Sequence, residues 1–290
     1  MMSLSRRVAL ASCLALVIAA VSCTRSSTPP QAQAPVPLDL CGAVVIGASV
    51  SDGFGAMLPG EEPKGLIPQG IPLARTLGSI AHTHAAPASH SSNLFFLSPE
   101  QEADSQLAAA QAAKPALVFA IDYLFWHAYG DMDDSAREAS LQRGLDRLST
   151  LQAPIILADL PDMTHAVGIM LSSRQVPSPR TLESLNAKVR DWASKRPSTV
   201  IVPLAGVVRS AMTSGQVHVG GRDYQGQAAR ALLTRDGLHA TLDGQIAVAL
   251  EALSQARAAG VLPANATWDS DPASIRARLA AAGAPAPGTP

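Results

Sequence analysis

The hydrophobic pattern of the chain alternates between short apolar runs and longer amphipathic stretches. Four short runs rich in Val, Ile, Leu and Ala are bounded by turn-forming residues, which predicts buried strands. They span residues 43–46, 116–121, 154–158 and 199–202. A further short extended segment is predicted at 82–86.

Helical periodicity fills the stretches between the strands. Strands that alternate with helices predict an α/β fold, in which a parallel sheet is covered by helices on both faces. Thr181 is the predicted N-cap of one helix, and a last short helix is expected at 274–282. The main predicted helices span 73–80, 99–113, 134–151, 181–195, 224–233 and 242–259.

The N-terminal residues 1–23 are predicted to be a targeting segment rather than part of the fold. Arg6 and Arg7 precede an apolar stretch that is shorter than a membrane span. The sequence Ala20-Val21-Ser22-Cys23 then resembles a bacterial lipobox, in which the cysteine is lipidated. We expect lipid on Cys23 and export to the cell envelope, with the protein anchored to a membrane. An ordinary signal peptide and an uncleaved anchor are the alternatives.

Composition divides the rest of the chain into three parts. Residues 24–38, rich in Ser, Pro, Gln and Ala, predict a flexible linker. Residues 39–262 are expected to form the domain, and 263–290 a partly disordered tail. Aromatic residues make up 4% of the chain, so the core must be mainly aliphatic. The net charge of −1 predicts no general attraction to nucleic acid.

Candidate chemistry follows the first strand and precedes the last long helix. Ser49 comes directly after the strand, at the sheet edge where open α/β folds bind ligands. Asp236 and His239 lie three positions apart much later in the chain. A serine nucleophile needs a histidine base and a carboxylate that orients it, which predicts these roles for the three residues. The alternatives are helix caps and a surface histidine, with Ser51 as the rival nucleophile.

The two segments resemble the SGNH hydrolase family, also called GDSL esterases and lipases. Gly47-Ala48-Ser49 stands where the family has Gly-Asp-Ser, and Asp236-Gly237-Leu238-His239 matches its Asp-x-x-His block, with Thr241 and Gly244 following. The resemblance spans about residues 40–258. It implies a three-layer α/β/α, flavodoxin-like fold with strand order 2-1-3-4-5. It also implies an esterase that uses an acyl-serine intermediate and no cofactor.

The oxyanion hole that the resemblance implies departs from the family pattern. Its donors would be the backbone N–H of Ser49, that of Ala88 in place of a glycine, and Asp122 in place of an asparagine. An ionised carboxylate donates no hydrogen bond and repels a developing oxyanion. Three explanations are open. Burial keeps Asp122 protonated, so that it can donate a hydrogen bond; Asp122 has a different role; or the activity is reduced.

A substrate pocket is predicted around Trp126, His127 and Asp159, which follow the second and third long strands. Core packing is the alternative for the aromatic residues, and turn formation for Asp159. Histidines at 82, 84 and 90 have a metal-like spacing, but no cysteines or clustered carboxylates accompany them, and no metal site is expected.

The sequence thus predicts a serine esterase that acts on a small-molecule, glycan or lipid ester. Two other functions stay open. One is a non-catalytic binding protein with a decayed oxyanion hole, and the other is an O-acyltransferase that uses the same serine. The acyl and alcohol parts of the substrate are also open at this point.

Overall fold

The computed structural model describes residues 34–61, 70–81 and 86–283. A parallel sheet of five strands forms its centre, in the spatial order β3-β2-β4-β5-β6. Numbered along the chain, these strands lie in the order 2-1-3-4-5, so the predicted topology is confirmed. The strands are β2 (Ala43–Val45), β3 (Ala88–Ser89), β4 (Leu117–Ala120), β5 (Ile155–Ala158) and β6 (Thr199–Val202).

The register of the sheet brings the strand ends to one edge. Val44 pairs with Ala88 on one side and with Val118 on the other. Val118 pairs in turn with Ile155, and Ile155 pairs with Thr199. Because the strands are parallel, the residues that follow β2, β4 and β5 meet at the carboxyl edge of the sheet.

Helices cover both faces of the sheet and make the three-layer α/β/α arrangement that was predicted. Successive residues of one strand serve opposite faces, as alternation requires: Val44 belongs to one apolar cluster and Val45 to the other. One face is covered by α1 (Leu73–Ala81), α8 (Leu242–Ala258) and α9 (Pro272–Gly283); the other by α2 (Pro99–Ala113), α4 (Asp134–Ser149) and α5 (Pro179–Ser194).

A helix–hairpin unit follows β6, and here one prediction was wrong. Residues 224 and 225 lie in a strand, and the helix expected over 224–233 is reduced to one turn. Gly220 and Gly221 have φ values of 61° and 74°, which suits the two-residue turn of a hairpin. The unit consists of α6 (Leu204–Thr213), β7 (Gln216–Val219), β8 (Arg222–Gln225) and α7 (Gln227–Arg230).

Side-chain caps fix the starts of α5 and α8. Ser178, and not Thr181, caps α5, because its Oγ accepts the backbone N–H of Thr181 at 3.2 Å. Thr241 caps α8 and accepts the N–H of Gly244 at 3.2 Å. The Thr241 hydroxyl also donates to the carbonyl of Ala231 at 2.7 Å. The cap of α8 thereby holds the segment just before it, which carries His239.

Parts of the predicted linker and tail belong to the fold. β1 (Val36–Pro37) pairs in parallel with β9 (Ala266–Thr267). The helix expected near the C-terminus is confirmed as α9, which buries Ile275 and Leu279 against α1 and α8. The targeting segment with Cys23, the linker up to residue 33, and residues 284–290 lie outside the described residues. None of the helices described has the length and apolar character to cross a membrane.

Candidate active site

The serine predicted as nucleophile lies in a tight turn directly after β2. Backbone N–H groups of Asp52 and Phe54 donate to the carbonyls of Ala48 and Ser49, at 2.9 and 2.8 Å. The chain therefore turns back on itself at the sheet edge. Ser49 is partly exposed, whereas the strand leading to it is buried.

Ser49, His239 and Asp236 form one hydrogen-bonded row. The Oγ of Ser49 lies 3.0 Å from Nε2 of His239, and Nδ1 of His239 lies 2.7 Å from Oδ2 of Asp236. With Nδ1 protonated and donating to the carboxylate, Nε2 is left as the acceptor for the serine hydroxyl. The structure thus brings together residues that are 190 positions apart, in the order that general-base activation of serine requires.

The second oxygen of Asp236 is held by its own loop. Oδ1 accepts the backbone N–H groups of Leu238 and His239, at 2.8 and 3.0 Å, and the hydroxyl of Thr234 at 2.5 Å. Burial raises the pKa of Asp236, but the hydrogen bonds from His239, Thr234 and the loop outweigh it, so the net pKa lies well below the ordinary value. Asp236 is therefore ionised at neutral pH and oriented towards the imidazole.

The imidazole is shielded by a residue that the sequence did not single out. The ring of Phe54 lies 4.0 Å from that of His239, centroid to centroid, with the planes tilted by 31°. His239 is 3% exposed. Phe54 belongs to the serine turn, so the same turn presents the nucleophile and covers its base.

Asp122 lies beneath the serine turn and accepts its hydrogen-bond donors. Oδ1 accepts the N–H of Ala48 at 3.0 Å and the hydroxyl of Ser51 at 2.5 Å. Oδ2 accepts the N–H groups of Val50 and Ser51, at 2.8 and 3.2 Å. Burial raises its pKa, while these four hydrogen bonds oppose the rise. The predicted place in an oxyanion hole is corrected, because both oxygens face loop donors and Asp122 acts as an acceptor.

Gln106 on α2 holds the turn from its other side. Its side-chain oxygen accepts the N–H of Gly47 at 2.8 Å, and its amide donates to the Gly47 carbonyl at 3.0 Å. Gly47 has φ 151°, and a Cβ at this position would collide with the Asp122 carboxylate and the Ser51 hydroxyl. The glycine before the nucleophile is therefore needed for close approach of Asp122.

These contacts leave one donor of the turn unused. Within the part of the chain that the structure describes, the backbone N–H of Ser49 has no acceptor, whereas those of Gly47, Ala48, Val50 and Ser51 each have one. An N–H adjacent to a serine nucleophile is suited to bind the oxyanion that forms there.

Ala88 is not at the serine turn, so its predicted place as a donor is corrected. It pairs with Val44 inside the sheet. The segment beside the turn lies four residues later, where the N–H of Ser92 donates to the Gly47 carbonyl at 3.1 Å. The N–H of Asn93 donates to the carboxylate of Asp52 at 3.1 Å. The donor was assigned to Ala88 because the extended segment was predicted at 82–86, whereas β3 spans Ala88–Ser89.

An apolar cavity of about 80 Å³ adjoins Ser49. It extends between the sheet edge, α6 and α8. Its lining includes Phe125, Leu160, Met163, Val208 and Leu238.

The predicted pocket residues separate into two groups. Asp159 lines this cavity and also a larger recess of about 940 Å³ on its other side, with its carboxylate held by the N–H of Ala205 at 2.7 Å. Burial raises the pKa of Asp159, against that hydrogen bond and the guanidinium groups of Arg190 and Arg209. Trp126 and His127 line neither space, and their predicted place in the pocket is corrected.

Trp126 and His127 lie with Phe125 on α3 (Phe125–Ala128), a single helical turn whose side chains point in different directions. Trp126 packs against the exposed ring of Phe96, with centroids 5.8 Å apart. His127 is fully buried towards α4, where its ring fits against Gly144 and its Nδ1 lies 3.2 Å from the Ser140 hydroxyl. Within one helical turn only Phe125 of these three faces the cavity, a direction that the sequence pattern did not reveal.

Metal binding has no candidate in the described ranges, where no group of three His, Cys, Asp or Glu side chains is placed to hold an ion. His82 and His84 lie outside the described residues.

No protein-family model and no curated protein sequence matches the chain. Solved structures of similar fold include a protein named as a GDSL-like lipase from Parabacteroides merdae ATCC 43184, 14% identical, covering 79% of this chain and 100% of its own, with a TM-score of 0.48. An acetylxylan esterase from Geobacillus stearothermophilus is 15% identical, with coverages of 75% and 96% and a TM-score of 0.44. A protein named as an acylhydrolase from Bacteroides fragilis NCTC 9343 is 15% identical, with coverages of 80% and 93% and a TM-score of 0.46.

Proposed function

We propose that the protein is a serine esterase of the SGNH type, which hydrolyses a carboxylic ester through an acyl-serine intermediate. The observation that carries this proposal is the row Ser49–His239–Asp236, with contacts of 3.0 and 2.7 Å, beside an unused backbone N–H. Each element of the row has one chemical task, and no cofactor is needed for any of them.

Acylation begins when Ser49 Oγ attacks the ester carbonyl carbon and His239 Nε2 takes the hydroxyl proton. The carbonyl oxygen becomes an oxyanion. When the tetrahedral intermediate collapses, the bond to the alcohol oxygen breaks, and His239 gives its proton to the leaving alcohol. Asp236 stays ionised and stabilises the imidazolium that exists between these two transfers.

Deacylation repeats the steps with water. His239 takes a proton from water, whose oxygen attacks the acyl carbon. The second tetrahedral intermediate expels Ser49 Oγ, which recovers a proton from His239, and the carboxylic acid leaves. An O-acyltransferase would differ only in using an alcohol in place of this water, so the acceptor decides between the two functions.

The oxyanion is stabilised in this proposal by two donors from neighbouring segments. The first is the Ser49 N–H. The second is the side-chain amide of Asn93, which follows the residue bonded to the Gly47 carbonyl and whose own N–H is bonded to Asp52 in the turn. Loss of one such donor typically costs about 100- to 1,000-fold in kcat, which is the expected effect of Asn93→Ala.

Turnover of p-nitrophenyl esters and labelling by a fluorophosphonate test the assignment together. Ser49→Ala should abolish both. Ser51→Ala is the matched control: Ser51 lies two residues away, is fully buried and donates to Asp122, so its removal should weaken activity and leave the label. A label that survives Ser49→Ala would reject Ser49 as the nucleophile. No turnover and no label in folded wild-type protein would reject the esterase function and favour a binding protein.

The membrane association expected from the sequence belongs to the same proposal. An exported esterase anchored by lipid on Cys23 would act on esters of the cell envelope. Growth with a labelled fatty acid precursor should mark the wild-type protein, and Cys23→Ala should remove the mark. An unmarked wild type, or a marked variant, would show that the lipobox interpretation is wrong.

A further inference from the structure

The larger recess, of about 940 Å³, lies between α5 and α6 at the carboxyl edge of the sheet. Each helix turns one face to it, because the lining positions recur at three- and four-residue spacing. On α5 they include Leu182, Asn186 and Arg190, and on α6 they include Ala205, Arg209 and Met212. The recess is therefore a space between two helix faces.

Two polar contacts fix the walls of the recess to the sheet edge. Asn186, which is 7% exposed, accepts the backbone N–H of Leu160 at 2.7 Å and donates to the Leu160 carbonyl at 2.8 Å. Asp159 accepts the N–H of Ala205 at the start of α6, at 2.7 Å. Both helices are thus held by the loop that follows β5, and the recess is formed before any ligand binds.

Two guanidinium groups line the recess, Arg190 from α5 and Arg209 from α6. Both residues are exposed, and within the described ranges neither side chain has an ion pair or a hydrogen-bond partner. By contrast, the exposed Arg143, Arg174 and Arg222 each pair with a carboxylate. Burial raises the pKa of Asp159 and both recess guanidinium groups oppose the rise, which places them within electrostatic reach of one carboxylate.

The carboxylates that line the recess do not neutralise these arginines. Asp159 caps α6, and Asp162 accepts the N–H and the hydroxyl of Thr164, at 2.9 and 2.5 Å. Glu183 lies seven residues before Arg190 on α5, about 10 Å along the helix axis. Two cations in one recess repel each other, and an anion bound between the helices would relieve that repulsion. Guanidinium groups are suited to carboxylate and phosphate, which they bind through paired hydrogen bonds.

The recess adjoins the active site. It shares Asp159, Leu160 and Val208 with the cavity beside Ser49. β2, which leads to Ser49, and β5, which leads to Asp159, are two strand positions apart in the sheet, about 10 Å. A substrate long enough to span this distance can place its ester at the serine and its far end in the recess.

We propose that this recess binds an anionic group of the substrate, a carboxylate or a phosphate, through Arg190 and Arg209 while the ester lies at Ser49. This inference rests on the proposed esterase function and deepens it. The substrate class becomes an ester that carries a negative charge about 10 Å from the bond that is cleaved. Because the two arginines are remote from the reacting atoms, they should act on KM and leave kcat unchanged.

Two pairs of esters measure the effect of the charge alone. The first pair, ω-acetoxyoctanoate and ω-acetoxyoctanamide, differs in charge on the alcohol half. The second pair, the mono-p-nitrophenyl ester of azelaic acid and its terminal amide, differs in charge on the acyl half. Wild-type protein should favour the charged member of one pair by about tenfold in kcat/KM, and the pair that responds identifies the half of the ester that enters the recess.

The double variant Arg190→Gln, Arg209→Gln should remove this preference by raising KM for the charged ester about tenfold, with no change for the amide. Arg180→Gln is the matched control, since it removes an exposed arginine of α5 that does not line the recess. The preference should also shrink in about 0.5 M NaCl, because salt screens exposed charges. No preference in either pair, or an equal loss in Arg180→Gln, would overturn the inference.

Binding of inorganic phosphate separates failure of the recess from failure of catalysis. Calorimetry at low ionic strength should show phosphate binding to wild-type protein and none to the double arginine variant. If phosphate binds but the charge of the ester has no effect, the recess takes a free anion and the inference about the substrate is wrong. Phosphate binding without turnover of any ester would support the anion site and reject the esterase function. Ester turnover with neither phosphate binding nor a charge preference would reject the anion site alone.

Discussion

The hydroxyl of Ser51 donates a hydrogen bond of 2.5 Å to Oδ1 of Asp122, across the base of the turn that carries Ser49. Ser51 is fully buried and Asp122 is 9% exposed. The contact places the rival serine under the turn, where its hydroxyl is occupied, and leaves Ser49 as the serine that reaches His239. It also shows why an aspartate suits this position: the turn supplies four donors to it, and only a carboxylate accepts all four.

Asp122→Asn should therefore damage the protein, although it restores the asparagine of the family that the sequence resembles. An amide nitrogen would face either the Val50 and Ser51 N–H groups or the Ala48 N–H. A buried donor left without an acceptor costs about 1–3 kcal/mol. We expect the free energy of unfolding to fall by this amount and esterase activity to fall with it. Chemical denaturation and p-nitrophenyl ester assays measure the two effects.

Asp159→Asn is the matched control for that prediction. It makes the same change after the neighbouring strand, where the carboxylate accepts the N–H of Ala205 and an amide oxygen can do the same. Asp159→Asn should lower the free energy of unfolding by much less than Asp122→Asn does. Equal or higher activity in Asp122→Asn would instead support a donor role for residue 122 in the oxyanion hole.

Gly47→Ala should displace the nucleophile. The added Cβ would meet the Asp122 carboxylate and the Ser51 hydroxyl, at a backbone φ of 151° that disfavours other residues. We expect lower stability and a loss of kcat in the folded fraction. Gly206→Ala on α6 is the comparison, since its Cβ would meet nothing within 4 Å, and alanine in a helix stabilises by about 0.5–1 kcal/mol. Wild-type kcat in Gly47→Ala would mean that the turn tolerates a shift of Asp122.

The triad should behave as a unit. Ser49→Ala and His239→Ala should each lower kcat by about 10,000-fold or more, and the double variant should be little worse than either. Asp236→Asn should lower kcat by the same factor or by less, because the serine and the histidine base remain. Additive losses in the double variant would show that the two residues act independently and that the 3.0 Å contact is not the functional one.

Because His127 is buried, the protein should lose stability in mild acid. Burial lowers its pKa from 6.5 to about 4, so the unfolded chain takes up a proton over this range while the folded chain does not. The free energy of unfolding should therefore decrease as pH falls from 6.5 to 4, by about 3 kcal/mol from this residue. His127→Gln should flatten this part of the profile. An equal slope in wild type and His127→Gln would contradict the assignment.

The sequence by itself determined the layered architecture and the row of catalytic candidates. The strands at β2, β4, β5 and β6 follow from short aliphatic runs, because a strand covered on both faces is mostly apolar. Ser49, Asp236 and His239 could be proposed because glycines mark the turn at Ser49, and because the pairing of Asp236 with His239 is local, three residues apart. Local patterns of this kind are set by the backbone and survive in the fold.

Only the tertiary structure decided the contacts between distant segments. Asp122 follows β4, and the sequence predicts it as part of the oxyanion hole. In the fold it instead accepts hydrogen bonds from N–H groups of the turn after β2. The direction of His127 depends on α4, where Gly144 leaves room for its ring. The helix expected over 224–233 gave way to a hairpin because Val217 and Val219 find an apolar partner in α8. A side chain's role depends on groups that packing brings to it, and no short-range pattern records which groups those are.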